Sequence, residues 1–332
     1  MSHHKKQTDA NSSLKVDRTG PEYGSFRYPR VVVSKALRRY VQFLIVRSLL
    51  ALASFLPVRL AQKLGWLLGT LVYPFSKRER GICLYQLELA FPDMSDGERK
   101  SLTRRCFQHL GVTLFEVLLV PRIRRNAKKW IRIEGEDVLR EAYSEGRGVL
   151  LVTGHIGNWE LFSAVFQELE IPAQAMVRDI VNKRVSNLLL KHRASPFLKP
   201  LVRGSKESPR QLLSCLREGQ VLIVAIDQDI ESEGVYVDFF GIEAHTPRVA
   251  AVLANRLKTP LVTGFDHRKP DGTHVFRFEK VDLSIDQIEH PDHLRNITQI
   301  LTTKIEEHVR KFPEQWSWNH RRWKRRPSTK DA

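Results

Sequence analysis

From residue 148 onward the chain alternates short apolar runs with helical stretches, and this alternation constrains the fold more than any other feature. GVLLVTG (148–154) is apolar, β-branched and bounded by glycines, which predicts a strand buried on both faces. A helical stretch at 159–169 leads to AQAMVR (173–178), and a helix carrying Leu188, Leu189 and Leu190 follows. QLLSCLREG (211–219) runs into VLIVAID (221–227), and RVAAVLANRLKT (248–259) runs into PLVTGFD (260–266). THVFRFEKVDL (273–283) alternates like a strand with one exposed face, and 294–312 closes as a helix with Leu294, Ile297, Leu301, Ile305 and Val309 on one stripe. Strands and helices in this order predict an α/β fold with a mostly parallel central sheet flanked by helices.

The preceding residues divide in two. Residues 1–28 are polar, with no apolar period, and predict a disordered basic tail; they also lack the apolar stretch of a cleavable signal peptide. Residues 29–80 hold the most apolar stretch of the chain, 41–75, interrupted by Arg47, Pro57, Arg59 and Lys63. Three readings stay open for it: a single span, amphipathic helices lying in a membrane interface, or a buried hairpin. Basic residues on both flanks (Lys35, Arg38, Arg39; Lys77, Arg78, Arg80) give no positive-inside orientation and favour the interface. Gly65 and Gly69 would let a helix pack closely. The remaining domain is 81–327. Its first part reads as helical, with Ser95 and Glu98 at capping-box spacing and Leu102, Cys106, His109, Leu110 and Val117 as a packing stripe.

In 332 residues, 54 Lys and Arg against 37 Asp and Glu leave a charge of +17. Such a charge calls for an acidic partner. No nucleic-acid-binding module is present to make that partner DNA or RNA, although a non-enzymatic basic protein binding membranes or nucleic acid is the distant alternative. Cys83, Cys106 and Cys215 lie too far apart for a disulfide framework or a cysteine zinc site.

Ligands of open α/β sheets gather at the carboxyl ends of strands. Here those ends carry His155, Arg178, then Asp227, Gln228 and Asp229, then Asp266 and His267. GHIGNWE (154–160) is the sharpest of them. A spacing of five puts His155 on a loop and Glu160 in the first turn of a helix for which Asn158 is a natural N-cap. In that geometry Glu160 can accept from one imidazole nitrogen and leave the other free to take a proton. The bland alternative is a helix-capping histidine with Glu160 complementing the helix dipole. There is no Gly-x-Ser-x-Gly elbow, no His-Glu-x-x-His metal helix and no phosphate-loop fingerprint, so the simplest nucleophile is a substrate hydroxyl.

GHIGNWE, the later DQD (227–229), VDFFG (237–241), PEQWSWNHRRWKRRP (313–327) and the AFPDMSDGER stretch (90–99) together resemble the late lauroyl/myristoyl acyltransferases of lipid A biosynthesis. These belong to the lysophospholipid acyltransferase superfamily with its His-x4-Asp/Glu motif. The resemblance implies a glycerol-3-phosphate-acyltransferase-like fold and acyl transfer from a thioester, on acyl carrier protein or coenzyme A, to a hydroxyl of a lipid A precursor such as Kdo-bearing lipid IVA. It makes His155 the general base and Glu160 the acid that orients it. It implies substrate contacts for Arg178, Asn158, Asp227, Gln228, Asp229 and Arg193, no metal and no cofactor. It also implies an anionic glycolipid acceptor, an acidic carrier-protein partner, no nucleic acid, and work at the cytoplasmic face of an inner membrane. AHTPRVAA (244–251) and the basic setting of Arg193, directly after Lys191 and His192, depart from the family pattern. They leave other hydroxylated acceptors open, among them a phosphatidylinositol mannoside or an ornithine lipid.

Overall fold

The structure is a computed structural model that describes residues 34–204, 207–283 and 292–325. The tail expected at 1–28 lies outside them.

Helices come first: α1 Lys35–Ala53, α2 Val58–Val72, α3 Lys77–Ala90, α4 Asp96–Leu118 and the short α5 Val120–Arg125 and α6 Ala127–Trp130. Strands and helices then alternate through β1 Ile131–Glu134, α7 Glu136–Ser144, β2 Val149–Thr153, α8 Phe162–Leu169, β3 Ala173–Arg178, α9 Lys183–Arg193 and β4 Leu198–Arg203. Next are α10 Ser208–Arg217, β5 Val221–Ala225, the hairpin β6 Gly234–Phe239 and β7 Ile242–Pro247, and α11 Val249–Leu257. The last elements are β8 Leu261–Arg268, β9 His274–Lys280 and α12 His293–Lys311.

Seven strands form the central sheet in the order β1-β9-β8-β2-β5-β3-β4. Every pairing is parallel except β8 with β9, as the alternation predicts. All five residues of β2 are buried because the sheet is covered on both sides. Val149 and Leu151 point into one core with Phe162 and Phe166 of α8, while Leu150 and Val152 point into the other with Leu212 of α10, Leu253 of α11 and Ile305 of α12. The chain leaves β2 toward the α8 face and leaves β5 toward the α11 face. Since β2 and β5 are neighbours, the sheet has its switch point between them, which is where such folds open a crevice.

The helical expectation for 81–130 is met, and the capping box closes with the Ser95 N–H donating to Glu98 Oε2 over 2.9 Å and the Glu98 N–H to Ser95 Oγ over 3.3 Å. α2 lies against α4 at glycines: a methyl group on Gly65 would come within 2.5 Å of the Gly111 carbonyl oxygen. On its other side α2 is apolar and exposed, with Trp66, Leu67 and Leu71 in water. α1 carries Leu37, Val41, Leu44, Ile45, Leu49 and Leu52, likewise exposed and spaced as one helical stripe. Among the described residues, no helix is long and apolar enough to cross a membrane.

Candidate active site

β2 ends on Thr153, and Gly154 and His155 follow at the sheet edge. One strand over, β5 ends on Ala225, and Asp227 follows. The parallel register matches Thr153 to Ala225, so the residues two beyond each strand meet. The His155 Nδ1–H donates to Asp227 Oδ1 over 2.7 Å, and the His155 backbone N–H donates to Oδ2 over 2.7 Å. Gly154 keeps this approach close, since a Cβ on it would press to 3.2 Å from Asp227 Oδ2. Gly157 takes φ +62 with no room for a side chain beside Asp266.

The carboxylate that faces the imidazole is therefore Asp227, which corrects the expectation that Glu160 orients His155. Glu160 lies in the 3₁₀ turn Trp159–Leu161. Its two oxygens accept from Arg193 Nε at 2.7 Å and Nη2 at 2.6 Å, a two-point ion pair. The physical reason is topological: β5 enters the sheet beside β2 and brings a nearer carboxylate, and α9 swings a guanidinium onto Glu160.

Burial disfavours the charged imidazolium of His155, but the attraction and hydrogen bond of Asp227, helped by Glu160, leave its pKa raised above the ordinary histidine value. Burial likewise disfavours the Asp227 carboxylate, yet its contacts with His155 and Trp316 hold it at about 2. Asp227 is thus an anion at neutral pH, and it fixes the proton of neutral His155 on Nδ1. Nε2 faces outward on a side chain 23% exposed, and among the described residues no serine, threonine or cysteine hydrogen-bonds the ring. The ring of Trp159 packs edge-on against it with centroids 4.8 Å apart.

Two clefts meet at this histidine. One, of about 540 Å³, opens on the α8 and α9 face between Trp159, Phe162, Ile180, Leu198 and Ile223, with Glu160 and Arg193 in its wall. The other, of about 510 Å³, opens on the α10 and α11 face, where Leu212, Val249 and Leu253 form a floor, and Arg203, Arg256 and the Arg248–Glu233 ion pair form the rim. His155, Met176, Val177, Arg178 and Ala225 line both.

The other expected site residues sort accordingly. Arg178, at the end of β3, lies on the shared wall, Arg193 lines the first cleft and Gln228 the second. Asp229 is buried and paired with Arg325, accepting from its Nε over 2.6 Å. Asn158 caps the 3₁₀ turn, its Oδ1 accepting from the Glu160 N–H at 3.3 Å, but it is fully buried and lines neither cleft. Asp266 and His267 do not end their strand, since β8 continues to Arg268. Asp266 lies beneath the loop and accepts from the Asn158 N–H over 2.6 Å and from His274 Nδ1 over 2.8 Å.

Two further groups support this loop. The first is a buried ionic group. Glu116 of α4 accepts from Arg268 Nη2 over 2.6 Å, from Asn158 Nδ2 over 3.0 Å and from His274 Nε2 over 3.2 Å. Burial opposes charge on His274, but Asp266 and Glu116 raise its pKa to about 9, so it is an imidazolium at neutral pH. The second is the carboxyl-terminal strap, 313–325. Trp316, Trp318 and Trp323 are buried in it. The Gly157 N–H donates to the Gln315 carbonyl over 3.0 Å and the Ser317 N–H to the His155 carbonyl over 3.2 Å. Strap and loop thereby form an antiparallel bridge, Ile156 to Trp316.

Residues 31–325 match the family described as bacterial lipid A biosynthesis acyltransferase. The lipid A biosynthesis lauroyltransferase of Escherichia coli (strain K12) is 29% identical over 277 residues, covering 82% of this chain and 88% of that protein. The palmitoleoyltransferase of the same strain is 28% identical, covering 80% and 85%. A phosphatidylinositol mannoside acyltransferase of Mycolicibacterium smegmatis is 23% identical, covering 56% and 60%. A solved structure of a 1-acyl-sn-glycerophosphate acyltransferase from Thermotoga maritima aligns at a TM-score of 0.38 and 12% identity, covering 78% of this chain and 99% of that one. The protein is an enzyme that transfers acyl groups. It belongs to the bacterial lipid A biosynthesis acyltransferase family, and acyl transfer to an acceptor of the lipid A type follows from its relatives.

Proposed function

We propose that the enzyme moves an acyl chain from a carrier-protein thioester to a hydroxyl of a phosphorylated, Kdo-bearing lipid A precursor, with His155 as general base and Asp227 as its orienting acid. The observation that carries this reading is the single outward-facing imidazole nitrogen at the meeting point of two clefts. A base with no protein nucleophile beside it acts on a substrate hydroxyl. His155 Nε2 takes the hydroxyl proton as the oxygen attacks the thioester carbonyl carbon. The tetrahedral oxyanion collapses, the carbon–sulfur bond breaks, and the imidazolium returns the proton to the departing thiolate. Asp227 stabilises the imidazolium in between. Arg178, on the wall common to both clefts, is placed to offset the negative charge of the oxyanion or of a nearby substrate group.

The apolar first cleft suits the acyl chain. The second, with an apolar floor under Arg203 and Arg256, suits an anionic amphiphile as acceptor. The exposed stripes of α1 and α2 suit attachment at the interface of an anionic membrane, with the basic surface adding attraction that salt weakens.

The test is mass spectrometry of the acceptor after incubating wild type and His155→Gln with mixed acyl-carrier-protein donors and Kdo-bearing lipid IVA. A gain of one acyl mass with wild type alone supports the reading and reports chain length. A gain on phosphatidylinositol mannoside but not on lipid IVA would replace the acceptor. Equal gain with both proteins would remove His155 from the mechanism.

A further inference from the structure

We infer that Trp316 is a positioning residue of the site, its indole N–H locking the Asp227 carboxylate so that His155 Nε2 is turned to the clefts. The inference deepens the acyl-transfer reading and rests on it for its kinetic consequence, though not for its geometry. Trp316 Nε1–H donates to Asp227 Oδ2 over 2.8 Å, the oxygen that also accepts the His155 backbone N–H, while Oδ1 receives the His155 Nδ1–H. Three donors thus hold the carboxylate from three directions.

The indole is itself immobilised. It is 2% exposed, and it packs against Phe239 with centroids 5.5 Å apart and edge-on against Trp318 at 4.6 Å. Its backbone forms the bridge to Ile156. Farther along the strap, the buried guanidinium of Arg322 donates to the His245 carbonyl over 2.6 Å and to Thr246, which fastens the strap to the β6–β7 hairpin. One residue therefore ties the loop that carries the base to the loop that carries its acid.

A donor on Oδ2 draws charge away from Oδ1, so it moderates how strongly Asp227 holds a proton on His155. Without the indole N–H, Oδ1 becomes the stronger acceptor and His155 a stronger base held in a looser orientation. The other charged groups around the imidazole are Glu160, already paired with Arg193, Arg178 on the cleft wall and Arg322 from the strap, and the strap also brings His320, which burial holds toward its neutral form. None of them donates to Asp227, so the substitution isolates the indole.

The test compares Trp316→Phe with Trp318→Phe, a neighbouring buried indole in the same aromatic group whose N–H goes instead to the Pro313 carbonyl over 2.6 Å. Two quantities are read: the imidazole titration of His155 by NMR, assigned with His155→Gln, and the pH profile of kcat for consumption of an acyl-carrier-protein thioester in the presence of acceptor. Trp316→Phe is expected to raise the His155 midpoint by about 0.5–1 pH unit and to lower kcat about tenfold to a hundredfold, the usual cost of losing an orienting partner one step behind a reactive group. Trp318→Phe should leave the midpoint at the wild-type value. Equal shifts in both variants would make Trp316 a packing residue and overturn the inference, as would an unmoved midpoint in Trp316→Phe. Should Trp316→Phe fail to fold, a benzothienyl isostere at the same position removes the N–H at constant shape, and the same shift is expected of it. A shifted midpoint with turnover indifferent to His155→Gln would keep the positioning role and reject the acyl-transfer mechanism.

Discussion

Glu160 and Arg193 clasp each other through two parallel hydrogen bonds, with side chains only 12% and 23% exposed. Both oxygens of Glu160 are committed to that guanidinium, so the glutamate shapes the first cleft while Asp227 faces the His155 imidazole. Asp227→Asn keeps the shape of the acid and removes its charge. The His155 imidazolium then loses the attraction that raises its pKa, so the acid limb of the rate profile should move to lower pH. Thioester turnover should fall about 10⁴-fold, as for triads whose acid becomes an amide. Stopped-time assays across pH 5–9 read both, and an unchanged rate would end the role given to Asp227.

Breaking the Glu160–Arg193 pair from one side strands a charge. Glu160→Gln should cost about 3 kcal/mol in urea unfolding, and the double change to Glu160→Gln with Arg193→Gln should cost less than the sum of the two single changes. Additive losses would mean that the two groups are not energetically coupled.

Stability should fall toward alkaline pH on account of His274. Its folded-state pKa of about 9 lies above the ordinary histidine value, so the contribution is complete below about pH 6.5 and is lost as pH rises to about 9. The shift corresponds to about 3 kcal/mol at full strength. Wild type minus His274→Gln, measured by urea midpoints at pH 6, 7.5 and 9, should shrink with each step. A constant difference would show that His274 is neutral in the fold.

Charges placed on the exposed stripe of α1 should separate membrane attachment from folding. Ile45→Glu combined with Leu49→Glu alters residues 54% and 49% exposed, so unfolding should change by about 0.5 kcal/mol or less per site. Co-sedimentation with phosphatidylglycerol-containing vesicles should drop sharply. Undiminished sedimentation would send the interface elsewhere on the surface.

The layered α/β fold was legible because its strands are short, apolar and punctuated by glycine, and the capping box at Ser95 fixed the start of α4. The place of His155 at the sheet edge was legible for the same reason, one glycine beyond a fully buried strand. Its partner was not. Spacing along the chain favours the nearby Glu160, whereas the choice of Asp227 depends on β5 inserting between β2 and β3, which no local pattern encodes. Asn158 has the sequence setting of a cap and is one, but the same residue is locked beneath the loop by Glu116 of α4, 42 positions earlier. The contacts of Trp316, Arg268 and His274 were not legible, because each depends on a partner far along the chain, Asp227 for Trp316 and Glu116 for Arg268 and His274.

The two clefts open on opposite faces of the sheet and touch only along the wall around His155. A ligand that fills one leaves the other free for its natural occupant. An inhibitor bridging the sheet edge, with an apolar tail in the first cleft joined to an anionic head in the second, would seat its second half at the effective concentration its linker sets. On the proposed reading of the clefts, such a molecule would exclude donor and acceptor together, which a mimic of either alone does not do.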